Sequence, residues 1–384
     1  MRIRLLAVTS ILLVLALSGG IDSAAAETHD SVPAKNGVID RLIHYFASSN
    51  KHTVTTRPHF TFIGGPHYSK ESGFGIGLVL GGNYSTVPSD TLLPLSNISI
   101  VGDIATKNLF MIGARGEHIF PENSRRINYR FGLRSMSSYF WGSGYDMGVH
   151  DSNKTKYRDL TINLSAAYEW RVLNGLYIGP MAEFYYVGAS KPASVEVWEG
   201  QPLHHITAGA GIKLSFDTRD NHTGPHSGWL LEFNQMFYPK FFGNGSYPFY
   251  ISRIAANYYH PLWRNATIAT RIHADFSYGD SPWNMLPTLG SGSMRSYYEG
   301  RYRDKNAVDL TIELRQKVWR RSGVVLWGGI GNVFPKLSAL KMNQFLPEFG
   351  IGYRWEFKRD ANIRIDLGFG RRSSGFVFGL NESF

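Results

Sequence analysis

Hydrophobic and polar residues alternate with a period of two along most of the chain after residue 58. The pattern is clearest in residues 308–315, where apolar side chains alternate with polar ones: Val308, Leu310, Ile312 and Leu314 against Asp309, Thr311, Glu313 and Arg315. This period predicts a β-strand, because successive side chains of a strand point to opposite faces. The alternation suits both a half-exposed strand of a soluble sheet and a strand with lipid on one face and water on the other.

Turn residues such as Asn174-Gly175 and Asn244-Gly245 divide the chain into about sixteen alternating segments. The predicted strands lie near 59–64, 74–84, 97–106, 109–120, 125–136, 157–172, 176–188, 204–217, 228–238, 247–260, 266–278, 306–318, 323–333, 346–357, 362–370 and 375–384. An even number is expected of a bacterial outer-membrane barrel. We therefore predict an all-β fold, a transmembrane antiparallel β-barrel of about sixteen strands that forms one domain over residues 58–384.

The first residues and the composition favour the membrane alternative. Residues 1–26 have Arg2 and Arg4, an apolar stretch and three alanines, which is typical of a cleaved signal peptide. The apolar stretch is shorter than the roughly 20 residues that a spanning helix needs. The chain has no Cys, 41 Gly, 24 Phe, 21 Tyr and 9 Trp. An exported, aromatic-rich and glycine-rich chain is typical of the bacterial outer membrane.

The absence of Cys excludes disulfides, a lipid-anchored amino terminus and Cys-ligated metals. The net charge of +10 could indicate nucleic-acid binding, but in an exported chain it favours a polar lumen or contact with anionic lipid headgroups. We expect no nucleic-acid partner, no cofactor and no metal.

Residues 27–57 are predicted to form a short periplasmic segment. Val38, Ile39, Leu42, Ile43 and Phe46 recur at helical spacing, which predicts a short amphipathic helix. The helix could plug the barrel mouth, lie on the inner leaflet or pack on the barrel rim.

The two ends of the predicted barrel indicate a seam. The first strand, HFTFIGG at residues 59–65, is short and ends in paired glycines, so it offers few ladder bonds to the last strand; alternatively the two glycines form a turn. In the last strand the apolar residues share one face, and Glu382 interrupts it, which suits the headgroup level of a membrane. The predicted seam residues are His59, Phe60, Phe62, Phe376, Phe378, Leu380 and Phe384.

Four motifs resemble the BamA/TamA family of outer-membrane proteins, also known as the bacterial surface-antigen barrel family. They are MRSY (Met294, Arg295, Ser296 and Tyr297), GRYRD (Gly300, Arg301, Tyr302, Arg303 and Asp304), Glu313-Leu314-Arg315, and FDTRDN at 216–221. The strand count places the Arg295 loop between the eleventh and twelfth strands, which is the family's position for its lumen-loop motif. The resemblance covers residues 58–384.

The resemblance implies that this loop folds back into the lumen and that its arginine pairs with acids of the wall. Two positions depart from the family: Ser296 replaces the usual glycine, and Gly329 replaces an acidic residue. We therefore expect Arg295 to pair with Glu313, with Arg315 beside it. The alternative is an arginine in a solvated extracellular loop. Only about thirty residues separate the predicted signal peptide from the first strand, so the family's periplasmic POTRA domains are not expected here.

Three functions follow from these observations. The first is assembly or translocation of outer-membrane protein or lipid through a lateral seam and a loop-plugged lumen, with outer-membrane lipid, other outer-membrane proteins or separate periplasmic proteins as partners; self-association stays open. The second is a passive, weakly anion-favouring pore, since inward cations outnumber nearby acids. The third is a hydrolase, but the G-x-S-x-G motif is absent and His204 and His205 are adjacent strand residues on opposite faces. We predict no catalytic residues.

Overall fold

The computed structural model describes residues 55–69, 72–90, 92–222, 224–242, 248–290, 292, 294–358 and 361–384. The predicted signal peptide and amphipathic helix lie outside these residues. Every described strand belongs to one compact unit, Phe46–Phe384.

The described strands form one antiparallel meander and one small hairpin. Their bounds are β1 (His59–Ser69), β2 (Gly73–Tyr84), β3 (Ser96–Ala105), β4 (Leu109–Ile119), β5 (Arg125–Phe140), β6 (Thr155–Leu173), β7 (Leu176–Ser190), β8 (His204–Asp217), β9 (Gly228–Tyr238), β10 (Phe249–Pro261), β11 (Ala266–Gly279), β12 (Thr288–Leu289), β13 (Tyr302–Arg303), β14 (Asn306–Trp319), β15 (Ser322–Phe334), β16 (Leu346–Lys358), β17 (Ala361–Gly370) and β18 (Ser373–Leu380). β12 and β13 pair with each other inside the connection between β11 and β14.

The other sixteen strands form one sheet in which each strand pairs with the next along the chain. β1 and β18 lie at the two ends of this order. They are close in space, as the 6.3 Å between the ring centres of Tyr68 and Phe376 shows. The sheet is therefore a nearly closed barrel. This confirms the prediction of an antiparallel barrel of about sixteen strands.

The wall of the barrel reverses the burial expected of a soluble protein. On β14, Ile312 is 43% exposed, whereas Glu313 and Asp309 on the opposite face are 0% and 3% exposed. The same holds on β2, where Ile76 and Leu78 face outward. An apolar exterior around a polar interior is stable only when lipid covers the outside.

Two strand ends differ from the prediction. β1 runs through Gly64 and Gly65, which pair with Leu78 and Gly77 in the ladder, so the strand is 11 residues long. The prediction of a short first strand and the alternative of a turn at the two glycines are therefore both wrong. β18 ends at Leu380 because Asn381 has a φ of 60°, which turns the backbone out of the sheet, and its N–H donates to the Asn362 carbonyl at 2.6 Å.

The helices of the described residues are short. The α-helix α1 spans Tyr145–Val149, and 3-10 turns span Pro121–Asn123, Asp151–Asn153, Glu196–Trp198, Lys240–Phe242, Trp283–Met285, Leu337–Ala339 and Met342–Gln344. Among these residues, no helix has the length and apolar character needed to cross a bilayer.

Candidate functional site in the barrel lumen

The connection between β11 and β14, residues 280–305, packs against the inner face of the wall. Its apolar residues Leu289, Met294 and Tyr297 are buried together with Val333 of β15 and Leu346 of β16. The connection turns sharply at Gly290, where φ is 125° and an added Cβ would lie 2.6 Å from the Glu299 Cα. Only glycine fits such a close approach, so the turn that directs the connection inward depends on this residue.

Arg295 is buried between two strands that are distant in sequence. Its guanidinium pairs with Glu313 of β14, and its Nη1 donates to Oδ2 of Asp366 of β17 at 2.8 Å. The same group lies 3.9 Å from the ring centre of Trp327 of β15. Burial alone would lower the pKa of Arg295, but Glu313 and Asp366 hold it above its ordinary value. Because a buried charge is costly unless it is paired, the loop residue and the two wall acids stabilise each other.

Ser296 and Tyr297 extend these contacts to the last three strands. The backbone N–H and the hydroxyl of Ser296 both donate to Oε2 of Glu348 of β16, at 3.0 and 2.9 Å. The Ser373 hydroxyl of β18 donates to the Ser296 carbonyl at 2.6 Å. Tyr297 donates its hydroxyl to the Pro347 carbonyl of β16 at 2.6 Å. Arg295, Ser296 and Tyr297, which we call the clamp, therefore contact every strand from β14 to β18.

The hydroxyl of Tyr297 in the clamp stays protonated at neutral pH. Burial raises the pKa of Tyr297 to about 12, so the hydroxyl retains the proton that it donates to Pro347. The same hydroxyl oxygen accepts the backbone N–H of Arg371 at 2.7 Å, in the turn between β17 and β18.

Glycines on the wall make room for the clamp. An added Cβ at Gly375 of β18 would lie 1.9 Å from the Arg295 carbonyl oxygen, and one at Gly368 of β17 would lie 2.7 Å from the Ser296 hydroxyl. At Gly370 of β17 it would lie 2.6 Å from the Tyr297 ring. The backbone of the loop can approach the wall this closely because these positions carry no side chain.

The second part of the predicted motif contacts a different region. Arg301 donates to the Gly148 carbonyl of α1 at 2.8 Å and pairs with Asp151 at 3.0 Å. Gly144 donates its N–H to the Arg303 carbonyl at 2.6 Å. Gly300 has a φ of 76°. Burial raises the pKa of Asp304, whose side chain accepts the N–H of Lys305 at 2.7 Å. This half fastens the loop to residues 144–151, between β5 and β6.

Aromatic residues pack around this attachment. Phe140, Tyr157, Trp198 and Trp283 are all buried in one cluster, and the guanidinium of Arg303 lies 5.3 Å from the Phe140 ring centre. Arg303 also donates to the Trp283 carbonyl at 2.6 Å. The loop is thus held both at the wall and at the end of the barrel opposite the start of β1.

The C-terminal residues lie differently from the prediction. Phe384, expected on the outer face of the last strand, lies inside, where its ring centre is 5.1 Å from the guanidinium of Arg315. Glu382, expected at the headgroup level, is buried and accepts from Arg354 of β16 at 2.8 Å. The reason is the turn at Asn381, which takes both residues off the strand.

The remaining seam residues belong to the two end strands. Phe60 and Phe62 of β1 and Phe378 of β18 are exposed on the outer surface, and Phe376 is half-buried. His59 begins β1, and Leu380 ends β18. Arg315 lies beside Glu313 and donates to its Oε2 at 2.8 Å.

Sequence reasoning missed Asp366, Glu348, Ser373 and Trp327 as partners of the clamp. The sequence gives no register between β14 and β17, so Asp366 could not be chosen as a partner of Arg295. Among the described residues, no group of three or more His, Asp or Glu side chains is placed to hold a metal ion.

Comparison with known proteins gives three findings. Residues 120–384 match the sequence profile of the Omp85 superfamily domain. The fold is similar to BamA from Haemophilus ducreyi lacking POTRA domains 1–3, with a TM-score of 0.54, 11% identity, and coverage of 84% of this chain and 70% of that chain. No curated protein sequence matches the chain.

Two CdiB structures are also similar. CdiB from Acinetobacter baumannii has a TM-score of 0.54 and 10% identity, and the alignment covers 86% of this chain and 60% of that chain. CdiB from Escherichia coli has a TM-score of 0.53 and 10% identity, with 88% and 69% covered. At such identities the structures show a shared fold alone.

Proposed function

Because the chain belongs to the Omp85 superfamily of bacterial outer-membrane β-barrels, we propose that it assembles or translocates outer-membrane protein or lipid at a seam between β1 and β18. In this proposal the 280–305 loop closes the lumen, and the clamp holds the loop in place. One observation carries the proposal: Arg295, Ser296 and Tyr297 contact all five strands from β14 to the seam strand β18.

The seam is the place where the wall is least connected. Each neighbouring pair of strands along the sheet shares a ladder, whereas no ladder joins β1 to β18 among the residues that the structure describes. An unpaired strand edge offers free backbone donors and acceptors to another strand. The clamp holds β18 from the lumen side, so releasing it would free β18 to move away from β1.

A passive pore is less well supported. Arg134 pairs with Asp159 at 3.0 Å, and Lys213 pairs with Glu169 at 3.1 Å. Arg253 pairs in the same way with Glu183 at 2.8 Å. These inward cations are neutralised by acids, so they offer little selectivity for anions. A lumen cavity of about 340 Å³ beside the loop is likewise lined by side chains of both signs, among them Arg134, Asp159, Arg253 and Asp275.

The proposed partners follow from the same surfaces. The exposed aromatic side chains of Trp170, Trp229, Tyr250 and Tyr278 suit the two lipid interfaces of an outer membrane. We propose that the cargo, and any separate periplasmic protein that delivers it, meets the barrel at the seam. The proposal assigns no enzymatic activity to the chain.

A crosslink across the seam tests this proposal. Tyr68→Cys with Phe376→Cys places two thiols at the seam of a chain that has no natural Cys, and a short cleavable crosslinker joins them. Leu367→Cys with Phe376→Cys is the matched control, because these residues face each other in the β17–β18 ladder.

The expected result is a folded barrel in the outer membrane that stops delivering cargo when the seam is crosslinked and resumes after cleavage. The measurement is the protein and lipid composition of the outer membrane in cells that carry only this variant, which also tells protein cargo from lipid cargo. Normal composition with a crosslinked seam would rule out seam opening.

A further inference from the structure

Six charged residues of alternating sign form a closed ring at the lumen wall. In order they are Arg295, Glu313, Arg315, Glu382, Arg354 and Asp366, and the last returns to Arg295. The nitrogen–oxygen distances are 2.8 Å for Arg315–Glu313, 3.7 Å for Arg315–Glu382, 2.8 Å for Arg354–Glu382, 2.6 Å for Arg354–Asp366 and 2.8 Å for Arg295–Asp366. Each arginine of the ring thus faces two acids, and each acid faces two arginines of the ring; Asp366 also faces Arg364, outside the ring, at 3.7 Å.

Burial makes these pairs depend on one another. The side chains of all six residues are less than a tenth exposed. The three positive and three negative charges of the ring cancel, and Arg364 adds one further cation beside Asp366. Removing one member leaves two buried partners short of an opposite charge, which is strongly unfavourable away from water.

One member of the ring does not belong to the wall or to the loop. Glu382 lies in the segment 381–384, which leaves β18 at Asn381 and turns into the lumen. Asn362 of β17 donates to Glu382 at 2.8 Å, and Arg315 donates to the backbone oxygen of Phe384 at 2.9 Å. The Phe384 ring lies 6.4 Å from the ring of Tyr259 of β10. The guanidinium of Arg271 of β11 lies 6.0 Å from the Phe384 ring centre, so five strands, β10, β11, β14, β16 and β17, hold this segment.

We propose that Arg315, Arg354, Asn362 and Tyr259 form a binding site for an acidic segment with an aromatic residue, and that the chain's own residues 381–384 occupy it as a releasable latch. The segment continues β18, so a movement of β18 away from the wall withdraws Glu382 from the ring. The purpose of this release rests on the proposed function. The coupling between latch and clamp rests on the ring alone.

The charge balance explains why release loosens the clamp. Without Glu382 the ring holds three arginines and two acids, and Arg315 and Arg354 have lost the acid between them. Each then draws more strongly on its remaining acid, Glu313 or Asp366, and these are the two acids that hold Arg295. Once Glu382 has left, Arg315 and Arg354 therefore compete with Arg295 for the same two carboxylates.

Hydrogen–deuterium exchange of the full chain in lipid vesicles tests the coupling. In Glu382→Gln we expect peptides that cover residues 294–304 to exchange about tenfold faster, since a lost charge-assisted hydrogen bond corresponds to at least that factor. Glu356→Gln is the matched control: Glu356 lies in β16, two residues after the ring member Arg354, but it pairs with Lys317 outside the ring. Faster exchange confined to β18 and residues 381–384 would overturn the coupling.

A second measurement tests the site itself. In a variant that lacks residues 381–384, the free peptide Asn-Glu-Ser-Phe should restore slow exchange of residues 294–304, whereas Asn-Gln-Ser-Phe should not. Failure of both peptides, or equal rescue by both, would overturn the assignment of the site to an acidic segment. Neither result depends on cargo: normal cargo delivery with a crosslinked seam would remove the proposed function and leave the latch intact.

Discussion

The Nη1 of Arg295 donates a 2.8 Å hydrogen bond to the Oδ2 of Asp366, which lies 71 residues further along the chain. Both groups are almost fully buried, so the bond links the inner loop to the second-last strand of the wall. In a double-mutant cycle, Arg295→Gln and Asp366→Asn should show a coupling free energy of about 1–3 kcal/mol, as expected of groups in one network. The measurement is reversible unfolding in urea and lipid vesicles. Additive effects of the two changes would contradict a direct pairing.

Arg295→Ala should open the lumen. It removes the cation between Glu313 and Asp366 and leaves two buried carboxylates, which costs about 3 kcal/mol or more in folding free energy. We expect larger and noisier currents in planar bilayers and a lower temperature of barrel unfolding in electrophoresis.

Arg264→Ala, in the exposed turn between β10 and β11, is the control for that substitution. It should leave both currents and unfolding temperature unchanged. Wild-type currents in Arg295→Ala would contradict the plugging role of the loop, and large steady currents in the wild type would favour a passive pore.

Gly375→Ala should displace the clamp without changing any charge. The new Cβ would lie 1.9 Å from the Arg295 carbonyl oxygen, so loop or strand must move, at a cost of about 1–3 kcal/mol. Gly81→Ala in β2 is the matched control, because a Cβ there meets nothing within 4 Å. Thermal unfolding of the two variants in vesicles measures the difference. Equal stability would show that the clamp does not rest on β18.

Acid should weaken the contribution of Glu382. Burial by itself would raise the pKa of this carboxyl, but Arg315 and Arg354 hold it below its ordinary value of 4.5. A carboxyl whose pKa is lower in the folded state stabilises the fold above its ordinary pKa, and this stabilisation is lost as the pH falls through the lower, folded-state value.

The free energy of unfolding of the wild type should therefore exceed that of Glu382→Gln at neutral pH, and the difference should shrink as the pH falls below 4.5. Unfolding in urea over a series of pH values checks this. A difference that does not change with pH would mean that Glu382 acts by packing and not by charge.

The alternating pattern predicted the wall because each side chain's face follows directly from its position in a strand. Val308 to Arg315 already divide into lipid-facing and lumen-facing residues in the sequence. The pattern does not give the register of distant strands, so the pairing of Arg295 with Glu313 could be expected from a family motif but its pairing with Asp366 could not.

The alternating pattern also did not predict where the first and last strands of the barrel end. Gly64 and Gly65 have low strand preference, yet the ladder to β2 holds them in an extended conformation. Asn381 adopts a left-handed conformation that only a few residue types accept readily, and nothing nearby in the sequence demands it. The inward course of Glu382 and Phe384 follows from that single turn.

Every hydrogen bond and ion pair of the clamp described above is made with a residue that follows it in the chain, from Glu313 to Ser373. The clamp therefore precedes, along the chain, all five strands that hold it. Its contact with Ser373 exists only when β18 is part of the sheet, so the complete attachment of the loop reports on the presence of the last strand.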